Sequence, residues 1–484
     1  MDKINQFFNK KPIYWFAAGT IIRQLVSFIM LPIYTSHLTP TDYGVLSLLL
    51  MTMSIFEIVV ASRFGMALPK FYYDRETAKE RDRVIITAFC TSIPVSLIGV
   101  TAFYFASPMI ASIVLEKEEI TNVVQVYSIL LCTSTIETYV MILFRLKKHI
   151  AFFFFTSLLR LLVQLSLNIY LVVFLDMGLV GVLYSSVIVS CAFALLSIIY
   201  TFKTCIVSFS LELAKELYVF SFPLWFVGLG GIAVTSATQI LIKEFASVAD
   251  VGLYQLGTNF AMIIAMLLWM PFSQWWQTER FKIVRNEGRH RELPLIFQII
   301  TFVLVLGAIG ISLLTPIVLK MMVTPAFYPP AALIPVLCFN LVLNHLGFMY
   351  NLAYLHTKNT KIMAYLTWGN AIFRLTLLSV LTYYFGLVGA AYALLLASFV
   401  SINVTYFITK RYFTLNYNLY KTLAIGLICF FSVLFMQSML SIELPYVDLI
   451  VRSGVGIIVI GGFLALSIFS NAEVRHYCIS AIKH

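Results

Sequence analysis

Charged residues are scarce in this 484-residue chain: Asp, Glu, Lys and Arg together make up 11%, against 61% apolar residues. Soluble domains carry about a quarter of their residues as charge, so a water-soluble globular protein is excluded, in line with a mean hydropathy of +0.92. Cysteine is sparse as well. The seven (Cys90, Cys132, Cys191, Cys205, Cys338, Cys429 and Cys478) are scattered mostly through apolar runs without a C-x-x-C spacing, and read as small core residues rather than redox or metal ligands. There is no G-x-x-x-x-G-K-[ST] loop and no H-E-x-x-H pair, so neither a P-loop ATPase nor that zinc chemistry resides in the chain. Strand-like alternation is also missing: a run such as Leu158 to Leu175 is continuously apolar, which excludes a transmembrane barrel.

What is present is enough apolar sequence for about 14 helices of about 20 residues each. Apolar runs between charged or Pro/Gly-rich breaks place spans near 13–35, 43–62, 84–106, 121–144, 151–175, 178–202 and 217–242. Seven more fall near 251–276, 293–317, 330–355, 362–385, 387–409, 420–440 and 446–470. The expected fold is an all-α polytopic membrane protein. The lysines Lys3, Lys10 and Lys11 precede a first apolar stretch too long for a signal peptide and without a small-residue cleavage site, so it reads as a retained span. With the N-terminus in the cytoplasm, 26 of the 33 Lys and Arg residues fall on the cytoplasmic side and only Lys117, Lys243, Lys320 and Arg452 on the other. Both termini are then cytoplasmic, and the net charge of +11 is a topology signal rather than a sign of nucleic-acid binding.

The chain also matches itself at an offset of 208 residues. Asp42-Tyr43-Gly44 answers Asp250-Val251-Gly252, Ser107-Pro108 answers Thr315-Pro316, and Gly178-Leu179-Val180-Gly181 answers Gly386-Leu387-Val388-Gly389. Six helices separate the copies, so they share one orientation and are expected to be related by a pseudo-two-fold axis along the membrane normal. The implied organisation is a six-helix bundle over 1–208, a second over 209–416, and two further helices with a cytoplasmic tail over 417–484. Two such bundles imply a central cavity exposed alternately to either side, which points to transport.

Three arginines, Arg23, Arg160 and Arg374, fall near the middles of spans, where a charge costs about 2.5–3.5 kcal/mol or more unless a partner or water receives it. Two readings stand for each: a cavity cation that binds an anion, or one half of an internal ion pair. Arg63 falls just past the second span, where it could draw in an anionic headgroup or simply mark the cytoplasmic side. Glu57 and Glu137 lie inside spans and are candidates for coupling to protons or sodium, or for structural pairing with an arginine. His345, Gln164, Gln239, Asn168, Asn259, Asn340 and Asn370 add hydrogen-bonding capacity that suits either a hydroxyl-rich ligand or helix-to-helix adhesion. Trp269, Trp275 and Trp276 read as an interfacial anchor. Pro223, Gly228, Gly230 and Gly231 place soft points in the seventh span, which suit a hinge or, for the small residues, simple close helix packing.

The segment from Leu31 to Gly44, with Leu38-Thr39-Pro40-Thr41-Asp42-Tyr43-Gly44 at its end, resembles the opening of the polysaccharide-export flippases of the MOP superfamily, in which Leu-x-Pro-x-x-Tyr-Gly joins the first two helices. Ala249-Asp250-Val251-Gly252-Leu253-Tyr254 is similar to their Val-Gly-x-Tyr element, and Arg63-Phe64-Gly65-Met66-Ala67 to their Gly-x-x-x-Ala region. The resemblance favours the Wzx-type O-antigen and exopolysaccharide branch. It implies a MATE-like fold in the bacterial inner membrane and movement of an undecaprenyl-diphosphate-linked oligosaccharide to the periplasmic leaflet. It also implies no cofactor beyond a coupling proton or sodium ion, and a polysaccharide polymerase and chain-length regulator as partners. Arg23, Arg160, Arg374 and Arg63 would meet the diphosphate or other anionic groups. The sequence departs from the family at Thr238-Gln239, where many members have Asp-Arg. The alternatives are a peptidoglycan-precursor flippase, a drug/cation antiporter, a pore, and remotely a membrane polymerase, although external segments such as Ser107 to Ile120 are too short to fold into a domain.

Overall fold

The computed structural model describes residues 30–60, 64–285, 292–350, 352 and 360–411. Among these the chain is helical throughout, as a hydrocarbon environment demands: every backbone N–H and C=O must be satisfied within its own segment. The chain divides into two compact units, Met1–Ile240 and Leu241–His484. The first contains α1 (Leu31–His37), α2 (Pro40–Val60), α3 (Phe64–Tyr73), α4 (Ala78–Met109), α5 (Thr121–Tyr127), α6 (Leu130–Leu146), α7 (Ile150–Ile169) and α8 (Gly178–Thr204). Helix α9 (Leu211–Phe245) follows and runs through the boundary. The second unit continues with α10 (Val248–Ile264), α11 (Met270–Arg285), α12 (Glu292–Met322), α13 (Ile334–Met349) and α14 (Thr360–Thr409). Eight helices among the described residues are long and apolar enough to cross a membrane, or nine if the bent pair ending in α13 is one span.

The second to twelfth expected spans each have a helix at their place, the eleventh and twelfth being the two arms of α14. Most of the first span, the thirteenth and fourteenth, the tail, Arg23 and Arg63 lie outside the described residues. So do the side chains of Pro223, Gly228, Gly230 and Gly231, although α9 is a single helix across those positions.

The 208-residue offset recurs in the backbone itself. Thr39 and Asp42 cap the start of α2 reciprocally, with Asp42 N–H donating to Thr39 Oγ1 at 3.1 Å and Thr39 N–H to Asp42 Oδ2 at 3.1 Å. At 208 residues further on, Ser247 Oγ accepts from the Asp250 N–H at 3.0 Å to cap α10. Among the described residues Gly178 and Gly386 are the two glycines with positive φ, at 50° and 55°, and they too stand 208 apart. Each begins a span by a left-handed residue that L side chains adopt only with strain. Gly386, at ψ −138°, is the single non-helical residue inside α14, so one glycine performs the work of a loop.

One end of the first unit is closed by a polar knot. The Asp82 carboxylate, buried in the first turns of α4, takes a salt bridge from Lys147 at 2.8 Å and a hydrogen bond from the Ile206 N–H at 3.0 Å. Lys147 also donates to the Thr204 carbonyl at 2.8 Å. Burial is the largest single influence on Lys147 and would lower its pKa, but the hydrogen bond to Asp82, the attraction of that carboxylate and the neighbouring Cys205 together hold it above the ordinary lysine value. Beneath the knot lie Phe64, Phe89, Tyr139, Leu143, Phe144 and Leu217 from α3, α4, α6 and α9. Basic residues here also meet ring faces: Lys70 lies 4.2 Å from the centre of the Phe220 ring and Arg81 5.5 Å from that of Tyr72.

Gly386→Ala should lower stability by about 1–3 kcal/mol, because its backbone lies where essentially only glycine rests. Thermal unfolding of the solubilised protein measures this, and Gly178→Asn should cost less than Gly178→Val because asparagine tolerates the left-handed region. Asp82→Ala leaves the part-buried Lys147 ammonium with the Thr204 carbonyl but no counter-ion and strands the Ile206 N–H, and should lower stability by roughly 2–3 kcal/mol in the same measurement.

Candidate functional site

Helix α7 carries Ser157, Arg160, Gln164 and Asn168, spaced three or four residues apart and therefore on one face of the helix. The structure turns this stripe into a ladder against α6 and α8. Arg160 Nη1 donates to Glu137 Oε2 on α6 in a salt bridge. The other carboxylate oxygen, Glu137 Oε1, accepts from Ser190 Oγ on α8 at 2.8 Å, and Ser190 Oγ is reached by Thr133 Oγ1 at 3.0 Å. Two turns further along α7, Asn168 Nδ2 donates to Tyr34 Oη on α1 at 2.6 Å, while Gln164 Nε2 donates to Ser185 Oγ at 3.1 Å. Glu137 is 5% exposed, whereas the Arg160 side chain is 34% exposed. The carboxylate is therefore held inside the helix packing and the guanidinium reaches outward from it. Of the two readings open for Arg160, an internal ion pair is the arrangement observed.

The second unit retains part of this ladder and changes its charge. Ser190 is answered 208 residues on by Ser398, whose Oγ donates to Asn340 Oδ1 at 2.7 Å. The place of Glu137 is taken by His345, stacked on Trp269 at 4.6 Å with 13° between the ring planes, and the place of Arg160 by the exposed Trp368. Among the described residues of the second unit no carboxylate stands at the positions equivalent to this pair. Arg374, six residues beyond Trp368, is half-buried on α14, and its Nε is buried without a hydrogen bond. Among the described residues Arg374 has no ion pair; the Tyr254 hydroxyl on α10 is the group within its electrostatic reach. Among the described residues Arg160 and Arg374 are thus chemically different arginines: Arg160 is paired with Glu137 and Arg374 has no ion pair.

The other expected positions fall as follows. Glu57 is half-buried in the last turn of α2. Gln164, Asn168 and Asn340 work as adhesion between helices, and Gln255 bonds Asn259 along α10 at 3.0 Å. The expectation of an interfacial tryptophan anchor needs correction. Trp269 and Trp276 are buried, at 8% and 2% exposure, because Trp269 packs between His345, Phe272 and Phe348, and Trp276 stacks on Phe272; Trp275 remains exposed. Sequence reasoning passed over Thr133, Ser185, Ser190 and Ser398, since small hydroxyl residues are common in spans; the match of Ser190 to Ser398 at the repeat offset was the available signal.

An all-α chain with paired capped and glycine-started helices in each half and charge inside its spans defines a polytopic membrane protein of the MATE-like fold. Similar solved structures bear this out. They include "Lipid II flippase MurJ, inward closed conformation", at 13% identity over 93% of this chain and 98% of that one, with a TM-score of 0.70. An inward-facing multidrug resistance MATE family transporter of the MOP superfamily follows at 16% identity, over 82% and 97%, with a TM-score of 0.62. No curated protein matches in sequence. Residues 10–276, more than half of the chain, match the profile of the polysaccharide biosynthesis protein family, and the chain belongs to that family.

The ladder yields a double-mutant prediction. Arg160→Ala leaves the Glu137 carboxylate buried with only the Ser190 hydroxyl for it, and should destabilise the protein by about 2–3 kcal/mol, the lower part of the range for breaking a buried pair because Arg160 is partly exposed. Arg160→Ala with Glu137→Gln should recover most of that loss, and the coupling energy is read from thermal unfolding of the four proteins.

Proposed function

We infer that this protein is a flippase of the inner membrane that moves a polyprenyl-diphosphate-linked oligosaccharide, an O-antigen or exopolysaccharide repeat unit, from the cytoplasmic to the periplasmic leaflet by alternating access. The observation that carries the reading is Arg374, a half-buried arginine within a span whose Nε is buried without a hydrogen bond and which has no ion-pair partner among the described residues. Such a charge is expensive in hydrocarbon and becomes favourable when an anion enters. A diphosphate offers oxygens in the geometry a guanidinium fork matches, whereas an organic cation would be repelled. The family assignment supports a polysaccharide precursor as the cargo. The lipid tail has no need to leave the bilayer, and the basic residues concentrated on one side by the sequence pattern favour entry of an anionic headgroup from the cytoplasm.

Arg160 takes a second role in this proposal. A diphosphate competes with Glu137 for its guanidinium, and the freed carboxylate, buried among apolar side chains, then gains a proton or meets a sodium ion. Glu57 is the other candidate for coupling. Arg23 and Arg63 remain proposed anion contacts, and Pro223, Gly228, Gly230 and Gly231 the proposed hinge. A polymerase and a chain-length regulator acting on the periplasmic leaflet are the proposed partners. A peptidoglycan-precursor flippase is the second reading, favoured by the likeness to the lipid II flippase structure.

The test is surface-polysaccharide display, with lipid-linked intermediates assayed on each leaflet, in a deletion strain complemented with wild type or variants. Arg374→Ala should abolish display and trap completed repeat units on the cytoplasmic leaflet at unchanged protein level. Arg374→Lys should restore it partially, because charge is kept and the bidentate fork is lost. Normal translocation by Arg374→Ala overturns the role of the arginine. Trapped peptidoglycan precursor in the deletion strain selects the second reading.

A further inference from the structure

Helix α13 carries no charged residue, yet its exposed face is not purely apolar. Asn340, Asn344 and Phe348 recur every fourth residue and form one stripe. Asn344 and Phe348 are exposed, and the stripe extends about 12 Å along the helix. An exposed carboxamide within an apolar helix is unfavourable against lipid tails, where its polar atoms find no partner. This face therefore meets water or a polar ligand.

The stripe is also held in place from behind. Ser398 fixes Asn340 by the 2.7 Å hydrogen bond already described, and Asn344 Nδ2 donates to the Asn340 carbonyl at 2.9 Å and to its Oδ1 at 3.1 Å. The Asn344 side-chain oxygen accepts no hydrogen bond among the described residues. The Phe348 ring meets buried Trp269 at 5.9 Å, Trp269 meets Phe272 at 5.6 Å, and Phe272 meets exposed Trp275 at 5.8 Å. His345, stacked on Trp269 at 4.6 Å, backs this chain of rings. Two exposed rings and an exposed carboxamide are thus presented on a stiff support.

We propose that this surface of the second unit, with Asn344, Phe348 and Trp275 as its contacts and Asn340 as the residue that positions Asn344, binds the oligosaccharide part of the cargo. The proposal rests on the lipid-linked oligosaccharide reading above. Carboxamides donate and accept together, which suits hydroxyl groups, and ring faces suit the C–H faces of sugars. Asn344, Phe348 and Trp275 are all uncharged and cannot hold the diphosphate, so in this proposal the anion and the glycan are recognised by different residues. Sugar selectivity then resides in a surface that can be altered without touching the arginines.

Saturation-transfer NMR on the full-length protein in lipid nanodiscs tests this, with the oligosaccharide freed by mild acid from the strain's own lipid-linked repeat units as probe. Wild type should transfer saturation to the sugar C–H protons. Asn344→Leu and Phe348→Leu should each weaken the affinity about tenfold, and Asn344→Gln less, with unchanged thermal unfolding. Binding by both Leu variants equal to wild type overturns the proposal while the flippase reading stands on its leaflet assay. No binding to wild type, together with normal leaflet distribution in the deletion strain, overturns both. Loss of binding accompanied by loss of the folded protein in both Leu variants, with full binding by the folded Trp275→Leu and Asn344→Gln proteins, also counts against it.

Discussion

A charge inside a lipid-embedded helix has to be neutralised, hydrated or used, and most of what is distinctive in this protein follows from how its arginines meet that demand. In the first unit Arg160 is satisfied by Glu137, and Glu137 in turn by Ser190, so that three helices are tied at one depth. The second unit keeps the serine and discards the carboxylate. The repeat of the helices is therefore not a repeat of the electrostatics: among the described residues Arg374 has a tyrosine hydroxyl in reach rather than an acid.

The same contrast separates polar groups that hold helices together from those available to a ligand. Asn168, Gln164 and Ser185 spend their hydrogen bonds on one another and on Tyr34, so substitution there would loosen packing. Asn344 is exposed and anchored on one side only. Side chains of one chemical type thus serve different ends, and only their surroundings separate them.

Much of the fold was legible in the sequence because the bilayer imposes a strong rule on composition: the apolar runs from 43 to 409 found their helices, and the glycine pair Gly178 and Gly386 reappears as the two left-handed span starts. The site was less legible. Arg160 and Glu137 were visible as costly residues, but 23 positions of separation on neighbouring helices give no sign of who meets whom, and helix rotation alone decided that they pair. Tryptophans misled for a related reason. An aromatic near a span end looks the same whether it faces headgroups or a neighbouring helix, and the stacking of Trp269 on His345 required a partner about 76 residues away in sequence that no local pattern announces.

The Asp82 knot has a bearing on how the protein is made. Its carboxylate waits for the Ile206 N–H, which lies 124 positions later in the chain. At a synthesis rate of about 5–20 residues per second, that interval is about 6–25 s. Throughout it, the helices that precede residue 206 are being inserted with this end of the bundle not fully latched. Lys147 is made about 65 positions after Asp82 and can pair with it first, so the Ile206 N–H is the last part of the latch to arrive and this end of the unit closes in two stages.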